Sequence, residues 1–266
     1  MKDPLRITLL QTDIVWEDKS ANLCRLRRHL EGLCGQTDMV ILPETFSTGF
    51  SMHPEALAEP LQGEVITLAK QWSARYGVAL AGSFIACHGT CNAEYANRAF
   101  FLTPEGDEWY YDKRHLFRMG GEDRLFTPGT SRPIIHYKGW NILLLVCYDL
   151  RFPVWSRNVG NEYDLLIYVA NWPTARRKVW DVLLQARALE NASYVCGVNR
   201  IGTDGNRIVH NGGSRVYSYK GDMLAFVPDG QEGHSTTSIS LTDLRNFRTK
   251  FPVWKDADHF EWGDFP

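Results

Sequence analysis

The 266-residue sequence lacks the features that would direct it to a membrane, a secretory route or a nucleic acid. No apolar run approaches the roughly 20 residues of a membrane-spanning helix. The first 13 residues hold only a short apolar patch, broken by Arg6 and Thr8, which does not resemble a signal peptide. The 29 basic and 31 acidic residues are intermingled, so there is no basic stripe for phosphates. We therefore expect a cytoplasmic protein that binds neither membrane nor nucleic acid.

Cysteine is sparse, and its spacing does not indicate a metal centre. The six cysteines are scattered along the chain, mostly within apolar segments, at positions 24, 34, 87, 91, 147 and 196. In a reducing compartment they are expected to be free thiols. Cys87, His88 and Cys91 resemble half of a metal site, but no second half with ligand spacing follows. We expect no metal and no cofactor.

Repeats and low-complexity linkers are also absent, and one domain is the first expectation for this length with 44% hydrophobic residues. Strand–helix–strand units alternate with direct hairpins, which predicts mixed rather than purely parallel sheets. The strands are too many for one compact sheet. Two stacked sheets with helices outside would bury the apolar runs on both faces. The sequence thus predicts an α/β fold, a four-layer α-β-β-α sandwich with two mixed β-sheets.

Individual elements follow from apolar periodicity and from capping and turn residues. Strands are predicted at 5–10, 39–42, 78–84, 97–102, 109–113, 134–137, 142–146, 165–170, 194–199, 207–210, 214–217, 223–226 and 235–240. Helices are predicted from Asp18 or Ser20 to Gly35, over 61–76 and over 176–191. In the last helix the apolar stripe predicts the inward face, formed by Val179, Val182, Leu183, Ala186 and Leu189.

Residues 242–266 differ from the rest, because aromatic residues lie there in a polar background without periodicity: Phe247, Phe251, Trp254, Phe260, Trp262 and Phe265. Aromatic side chains without a helix or strand of their own are expected to pack on another surface. That surface is either the chain's own domain or a second subunit, and the pattern leaves both open.

The segment 140–153 organises the chemistry of the chain. An unbroken apolar run over 142–146 predicts a strand buried on both faces, and Cys147 ends it. Pro153 suits the first turn of a following helix. A thiol at such a strand end faces a cleft while its backbone is held firmly. Cys147 is therefore either a nucleophile or a buried structural cysteine, which behaves as a small hydrophobe.

Two further polar residues lie where buried strands end. Glu44 follows a short apolar strand within L-P-E-T-F, and Lys113 lies within Y-Y-D-K-R-H-L-F. A glutamate or lysine at such a position is usually a solvated surface charge. The apolar neighbours on both sides favour burial instead.

Acyl transfer through a thioester is the chemistry that uses all three residues. Cys147 would attack a carbonyl carbon as the thiolate. Glu44 would take the thiol proton, give it to departing ammonia and then activate water. Lys113 and the backbone N–H of Tyr148 would stabilise the oxyanion, and the lysine would also favour the thiolate.

The three segments L-P-E-T-F, Y-D-K-R-H-L-F and V-C-Y-D-L-R-F-P resemble, in order and spacing, the signatures of the nitrilase superfamily, the carbon–nitrogen hydrolases. The later A-N-W-P, Q-A-R-A-L-E-N and N-G-G-S-R-V-Y are also similar to segments of that family. The resemblance implies a nitrilase-like α-β-β-α fold and a catalytic triad of Glu44, Lys113 and Cys147. It also implies a supporting glutamate at Glu122 and a homodimer, which favours the intersubunit position for the tail.

Within the superfamily, H-L-F-R-M-G-G-E is most similar to omega-amidases of the YafV type. That similarity implies hydrolysis of the terminal amide of 2-oxo dicarboxylic acid monoamides, such as 2-oxoglutaramate and 2-oxosuccinamate. Tyr148-Asp149 after the cysteine resembles the amidase branches, whereas nitrilases often have Trp-Glu there. Nothing about Cys147 alone excludes a nitrile, and deaminated glutathione stays open as a neighbouring substrate.

Two alternatives belong to other classes of protein. One is a peptidase-like acyl-transfer enzyme in which His115 or another histidine is the base, although the ordered glutamate, lysine and cysteine would then be accidental. The other is a degenerate, non-enzymatic family member that serves as a binding subunit. The presence of all three catalytic residue types disfavours it.

An anionic substrate needs a cation or several N–H donors, because an unpaired buried carboxylate is very costly. Three arginines near the motifs are candidates: Arg118, Arg151 and Arg176. Arg151 equally suits a structural ion pair near the nucleophile. Residues predicted to line the substrate pocket are Phe46, Phe117, Tyr148, Asn171 and Trp172, of which Asn171 and Trp172 follow a predicted strand directly.

Overall fold

The computed structural model describes residues 4–88 and 94–258. Its strands are β1 Leu5–Gln11, β2 Met39–Ile41, β3 Ala79–Cys87, β4 Tyr95–Leu102, β5 Glu108–Asp112, β6 Ile134–Tyr137, β7 Trp140–Val146, β8 Leu165–Ala170, β9 Tyr194–Asn199, β10 Ile201–Thr203, β11 Val209–Asn211, β12 Arg215–Tyr217, β13 Met223–Phe226 and β14 Gly233–Ile239. Its α-helices are α1 Lys19–Leu33, α2 Pro54–Leu57, α3 Glu64–Tyr76, α4 Arg177–Asn191 and α5 Leu241–Lys250. Within these described residues, no helix has the length and apolar character to cross a membrane.

Twelve of these strands form two mixed sheets, as predicted, with six strands each, and β10 and β11 form a separate two-stranded sheet. One sheet has the order β14-β1-β2-β3-β4-β5 and the other β13-β12-β9-β8-β7-β6. In each sheet the central strands are parallel, β1-β2-β3 and β7-β8-β9, and the outer pairings are antiparallel. Parallel strands end at the same edge of a sheet, so residues that follow β2, β7 and β8 are brought toward one end of the sandwich.

The alternation of side chains along β2 shows how the layers are built. Met39 and Ile41 belong to the core between the sheets, whereas Val40 belongs to a second core under the helices. Helix α1 contributes Leu23, Leu26, Leu30 and Leu33 to this outer core, and α3 contributes Val65, Ile66, Ala69, Trp72 and Tyr76. The α-β-β-α sandwich predicted from the sequence is therefore confirmed.

The predicted inward face of α4 is right for Val179 and Leu183, which pack against the buried core, and wrong for Val182 and Leu189. Val182 and Leu189 are 56% and 52% exposed, whereas Trp180, Leu184 and Ala188 are buried against the second sheet. A side chain at Gly197 of β9 would collide with Leu184, so the helix lies close to the sheet where the strand has no side chain. The buried face also includes Arg187, whose guanidinium donates to the carbonyl of Leu150 at 2.7 Å. Because the buried face includes polar residues, the spacing of apolar residues alone did not predict it.

Two further expectations about local structure are also wrong. No helix starts at Pro153; a short 3-10 turn, Cys147–Arg151, begins at the cysteine itself. Cys87 is disulfide-bonded rather than free, whereas Cys24, Cys34, Cys147 and Cys196 are free thiols as expected. Cys91 lies outside the described residues.

The start of the C-terminal segment is a helix, contrary to the expectation of irregular structure. Ser240 caps α5 by accepting from the backbone N–H of Asp243 at 3.1 Å. Arg248 is buried against the chain's own domain, where it pairs with Asp164 at 2.8 Å and donates to the carbonyl of Tyr163. The buried face of α5 thus includes an arginine, so the spacing of its apolar residues does not indicate a helix. Phe260, Trp262 and Phe265 lie outside the described residues.

Candidate active site

A cavity of about 280 Å³ opens at the end of the sandwich where strands of both sheets stop. Glu44 and Lys113 reach it from the first sheet, after β2 and β5, and Cys147 reaches it from the second, after β7. Glu44 and Lys113 are fully buried, and Cys147 is partly exposed at the cavity wall. Three separate strand ends therefore deliver a carboxylate, an ammonium and a thiol to one cavity.

The backbone of Cys147 has a conformation that is unusual for a residue with a side chain. Its φ is 44°, in the left-handed region, where such strain costs on the order of 1–3 kcal/mol. Asp149 maintains the turn, because its Oδ2 accepts from the backbone N–H of Val146 at 3.0 Å and from the Tyr111 hydroxyl at 2.8 Å. This buried carboxylate fixes the direction in which the thiol leaves the strand.

Asp149 also joins the nucleophile turn to the segment that carries Lys113. Its Oδ1 accepts from the backbone N–H of His115 at 3.0 Å and contacts His115 Nδ1 at 2.8 Å. The backbone N–H of Lys113 itself donates to the carbonyl of Asn97 at 2.9 Å. The positions of the ammonium and the thiol are thus coupled through the backbone.

Lys113 lies between two carboxylates. Its Nζ is 3.0 Å from Glu44 Oε1 and 2.9 Å from Glu122 Oε2. Burial disfavours the charged lysine, but the charges of Glu122 and Glu44 outweigh this and raise the pKa of Lys113 above its usual range. Lys113 is therefore an ammonium at neutral pH. Phe50 covers it from another side, with its ring centroid 5.1 Å from Nζ.

Glu122 lies just behind the lysine, as the family resemblance implies. It accepts from Lys113 and from the backbone N–H of Phe117 at 2.6 Å. Burial raises the pKa of Glu122; Lys113 opposes this shift and the nearby Glu44 adds to it. The two glutamates thus share one cation, and Glu122 holds the lysine with both of its carboxylate oxygens.

Glu44 is held by amide groups as well as by the lysine. Asn97 Nδ2 donates to Oε1 at 2.8 Å, and the backbone N–H of Asn171 donates to Oε2 at 2.7 Å. The Asn171 side chain donates to the carbonyl of Glu44 at 2.7 Å, across the two sheets. These bonds fix the carboxylate that adjoins Cys147.

Lys113 lowers the pKa of Cys147 and so favours the thiolate, as expected, but other groups outweigh it and the resting nucleophile is a thiol. Burial, the charge of Glu44 and a hydrogen bond to Glu44 raise the pKa of Cys147 well above its usual range, although Lys113 opposes them. Deprotonation must therefore accompany attack, and the group bonded to the thiol is a carboxylate.

The structure separates the predicted substrate residues into two groups. Tyr148, Arg151, Asn171 and Trp172 line the cavity, as do Phe117 and Arg176. Phe46 does not, because the chain turns at Thr45 with φ of 42° and directs Phe46 into the outer core, against Phe100. Arg118 is 87% exposed and borders a neighbouring cavity. The predictions for Phe46 and Arg118 are wrong.

Sequence reasoning missed three kinds of residue that contribute to this site. The side-chain amide of Asn97 donates to Glu44 at 2.8 Å and to Glu122 at 3.1 Å. An amide side chain within the largely apolar strand β4 could have indicated this role from the sequence. Phe50 and Met52 lie on a loop without periodicity. The hairpin β10–β11 brings His210 to the cavity, and burial lowers the pKa of this histidine to about 4. His210 is therefore neutral at physiological pH.

His115 does not have the position of a catalytic base. It stacks on Phe152 with ring centroids 3.7 Å apart, bonds Asp149 and borders the neighbouring cavity rather than the one that contains Cys147. Across residues 4–88 and 94–258, no group of three or more His, Cys, Asp or Glu side chains is arranged to hold a metal ion. The arrangement supports acyl transfer by a thiol with a carboxylate base.

Comparisons with known proteins agree with this geometry. Residues 6–249 match the family model of the carbon–nitrogen hydrolases. The chain is 46% identical over 257 residues to the omega-amidase YafV of Escherichia coli K12, covering 96% of this chain and 98% of that protein. It is 28% identical to the 2-oxoglutaramate amidase of Bacillus subtilis 168, covering 94% and 96%. The crystal structure of a CN-hydrolase superfamily protein of Xanthomonas campestris superposes with a TM-score of 0.94 at 40% identity, covering 98% and 100% of the two chains.

Proposed function

This chain belongs to the carbon–nitrogen hydrolase family and hydrolyses non-peptide carbon–nitrogen bonds in linear amides, and we propose that it acts on the terminal amide of 2-oxo dicarboxylic acid monoamides. The products are the 2-oxo acid and ammonia. The observation that carries the proposal is the contact of one buried ammonium, Lys113, with Glu44 beside the Cys147 thiol in a single cavity. The similarity to proteins named omega-amidase and 2-oxoglutaramate amidase supports this substrate class.

The first half of the proposed reaction forms a thioester. The sulfur of Cys147 bonds to the amide carbon while its proton passes to Glu44, and the carbonyl oxygen becomes an oxyanion. Lys113 Nζ and the backbone N–H of Tyr148 stabilise that charge, and losing one such donor typically costs about 10² to 10³ in rate. The carbon–nitrogen bond then breaks as Glu44 returns the proton to the nitrogen, and ammonia leaves.

The second half hydrolyses the thioester with the same groups. Glu44 takes a proton from water, whose oxygen bonds to the acyl carbon, and Lys113 again stabilises the oxyanion. The carbon–sulfur bond breaks, and the sulfur recovers a proton from Glu44. Because Glu122 holds Lys113 with both of its carboxylate oxygens, we assign it the role of positioning the ammonium through both steps.

The proposal is tested by scoring ammonia release from a panel of small amides and nitriles. We expect 2-oxoglutaramate and 2-oxosuccinamate to have the highest kcat/KM, because the cavity is small and has cationic side chains. The panel includes the amide of deaminated glutathione and the nitriles that correspond to each amide. Faster turnover of a nitrile than of its amide, or no preference for the 2-oxo acids, would contradict the proposal.

We also propose that the protein acts in the cytoplasm as a homodimer. Four cysteines, namely Cys24, Cys34, Cys147 and Cys196, are free thiols, which fits a reducing compartment, and the disulfide-bonded Cys87 is the exception. The outer surface of α4 and the edge strand β13 carry exposed apolar side chains, namely Val182, Leu189, Met223, Leu224 and Phe226. Such side chains fit a subunit interface. Light scattering after size exclusion is expected to give twice the monomer mass of 30.4 kDa, and a lower mass for Leu189→Glu. A monomer at micromolar concentration would contradict the dimer.

A further inference from the structure

Two arginines line the catalytic cavity without a carboxylate partner among the described residues: Arg151 and Arg176. The next residue, Arg177, shows the contrast, because it pairs with Asp181 at 2.7 Å and with Asp229 at 2.9 Å. A guanidinium in a cleft normally pairs with an acid, since it carries a permanent charge and five N–H donors. These two cations are therefore available to a ligand.

Aromatic rings of the same cavity hold both guanidiniums in place. Arg151 lies over the Trp172 ring, 5.4 Å from its centroid, and Arg176 lies over the Phe117 ring at 5.1 Å. Trp172 contacts both arginines, because its ring lies under Arg151 and its indole N–H donates to the backbone carbonyl of Arg176 at 2.9 Å. Stacked guanidiniums lose less conformational freedom when they bind an anion than free side chains do.

The other charges at the cavity are already neutralised or engaged. Lys113 contacts the carboxylates of both Glu44 and Glu122, which together compensate its charge. Asp204 uses its Oδ1 to accept from the backbone N–H groups of Asn206 and Ile208, at 2.8 and 2.9 Å. Among the described lining residues, Arg151 and Arg176 are therefore the cations without a carboxylate contact, and Asp204 is a carboxylate held by backbone N–H groups.

We propose that Arg151 and Arg176 together bind the free carboxylate of the substrate, so that the enzyme selects amides whose far end is an anion. The inference rests on the proposed function, and it adds the residues that discriminate charged from uncharged acyl groups. Each guanidinium presents a planar pair of N–H donors that matches a carboxylate. The amide end is then placed at Cys147, because both arginines belong to the cavity that contains the thiol.

The proposal predicts a loss of charge selectivity in glutamine variants. Arg151→Gln and Arg176→Gln are each expected to lower kcat/KM for glutaramate by about 10²-fold or more, mainly through KM, because a desolvated carboxylate loses a charged partner. Turnover of pentanamide, which has a methyl group in place of the carboxylate, is expected to change less than about threefold. Arg176→Lys keeps the charge and is expected to retain more activity than the glutamine variant.

Arg118→Gln is the matched control. It removes the same charge from an exposed side chain outside the cavity, and the ratio of glutaramate to pentanamide turnover is expected to stay at the native value. Thermal unfolding of each variant identifies any that fails to fold; for such a variant, the lysine substitution is used at that position.

Alkylation of Cys147 gives a readout that does not depend on amide turnover. Iodoacetate is an anion and iodoacetamide is its neutral amide; in both, the sulfur bonds to the methylene carbon and iodide leaves with the thiol proton. Peptide mass spectrometry measures the rate at Cys147 separately from Cys24, Cys34 and Cys196. The iodoacetate-to-iodoacetamide ratio is expected to fall at least tenfold in the double glutamine variant.

The outcomes separate the two proposals. If no amide is hydrolysed but the alkylation ratio falls in the arginine variants, the carboxylate site is supported and the proposed function is wrong. If amides are hydrolysed but the variants affect glutaramate and pentanamide equally, or leave the alkylation ratio at the native value, the carboxylate site is overturned. A matching effect in Arg118→Gln would also overturn it, because long-range charge alone would then explain the selectivity.

Discussion

Cys147→Ala is expected to lower kcat for 2-oxoglutaramate by about 10⁵-fold or more, since removing a catalytic nucleophile eliminates the covalent route rather than weakening it. The variant keeps the fold, because the turn at Cys147 is held by Asp149 and the side chain is small and partly exposed. Ammonia release measured at high enzyme concentration gives the residual rate. The melting temperature shows whether the fold is intact.

Cys34→Ala is the control for this prediction, because Cys34 is an exposed free thiol remote from the cavity residues. It is expected to have native activity. A Cys147→Ala variant that retains more than a few per cent of native kcat would show that the thiol is not the nucleophile, and the mechanism would have to use water directly.

Glu44→Gln has the second-largest expected effect. The change keeps the size of the side chain but removes the group that accepts the thiol proton, protonates ammonia and activates water. Each proton transfer contributes about 10²- to 10⁴-fold, so we expect kcat to fall by at least about 10³-fold. KM is expected to change little, because Glu44 is engaged with Lys113, Asn97 and Asn171 rather than with a substrate carboxylate.

His115→Ala separates this mechanism from one that uses a cysteine–histidine pair. His115 contacts Asp149 and stacks on Phe152, so its loss loosens the nucleophile turn without removing a proton acceptor. We expect kcat to remain within about tenfold of native, because the variant displaces the Cys147 thiol slightly but keeps the nucleophile and the base. The reverse pattern, with an active Glu44→Gln and an inactive His115→Ala, would favour histidine as the base.

The layers of the fold and the meeting of three strand ends were predictable from local signals. Buried strands such as β7 and β8 are short apolar runs bounded by polar residues, and the crossovers from β1 to β2 and from β2 to β3 contain the amphipathic helices α1 and α3. Parallel strands must end at one edge, which is why Cys147 and Asn171 both lie at the cavity. These inferences need only periodicity and topology.

The face of α4 and the environment of Cys147 were not predictable in the same way. The buried face of α4 contains Arg187, which is stabilised by the carbonyl of Leu150, a residue 37 positions away in the chain. The pKa of Cys147 depends on burial and on Glu44 more than on Lys113, and that balance exists only once the groups are packed together. Tertiary contacts therefore determine both the buried face of α4 and the pKa of Cys147.

Side-chain direction explains the errors at the cavity wall. Phe46 is two residues from Glu44, but the left-handed backbone at Thr45 directs it to the opposite face, while Phe50 reaches the lysine instead. Arg118 is near the motif in sequence, yet it is exposed, whereas Arg176 reaches the cavity from beyond β8. Proximity in sequence is a poor guide where loops determine direction.

The central claim is that Cys147 forms a thioester with the acyl group of the substrate. Acid quenching during turnover of 2-oxoglutaramate, followed by digestion and mass spectrometry, measures it most directly. We predict that the peptide containing Cys147 gains the mass of the acyl group, and that the gain is absent from Cys147→Ala. Steady turnover with an unmodified Cys147 peptide at every quench time, or with the acyl group on another residue, would contradict the account.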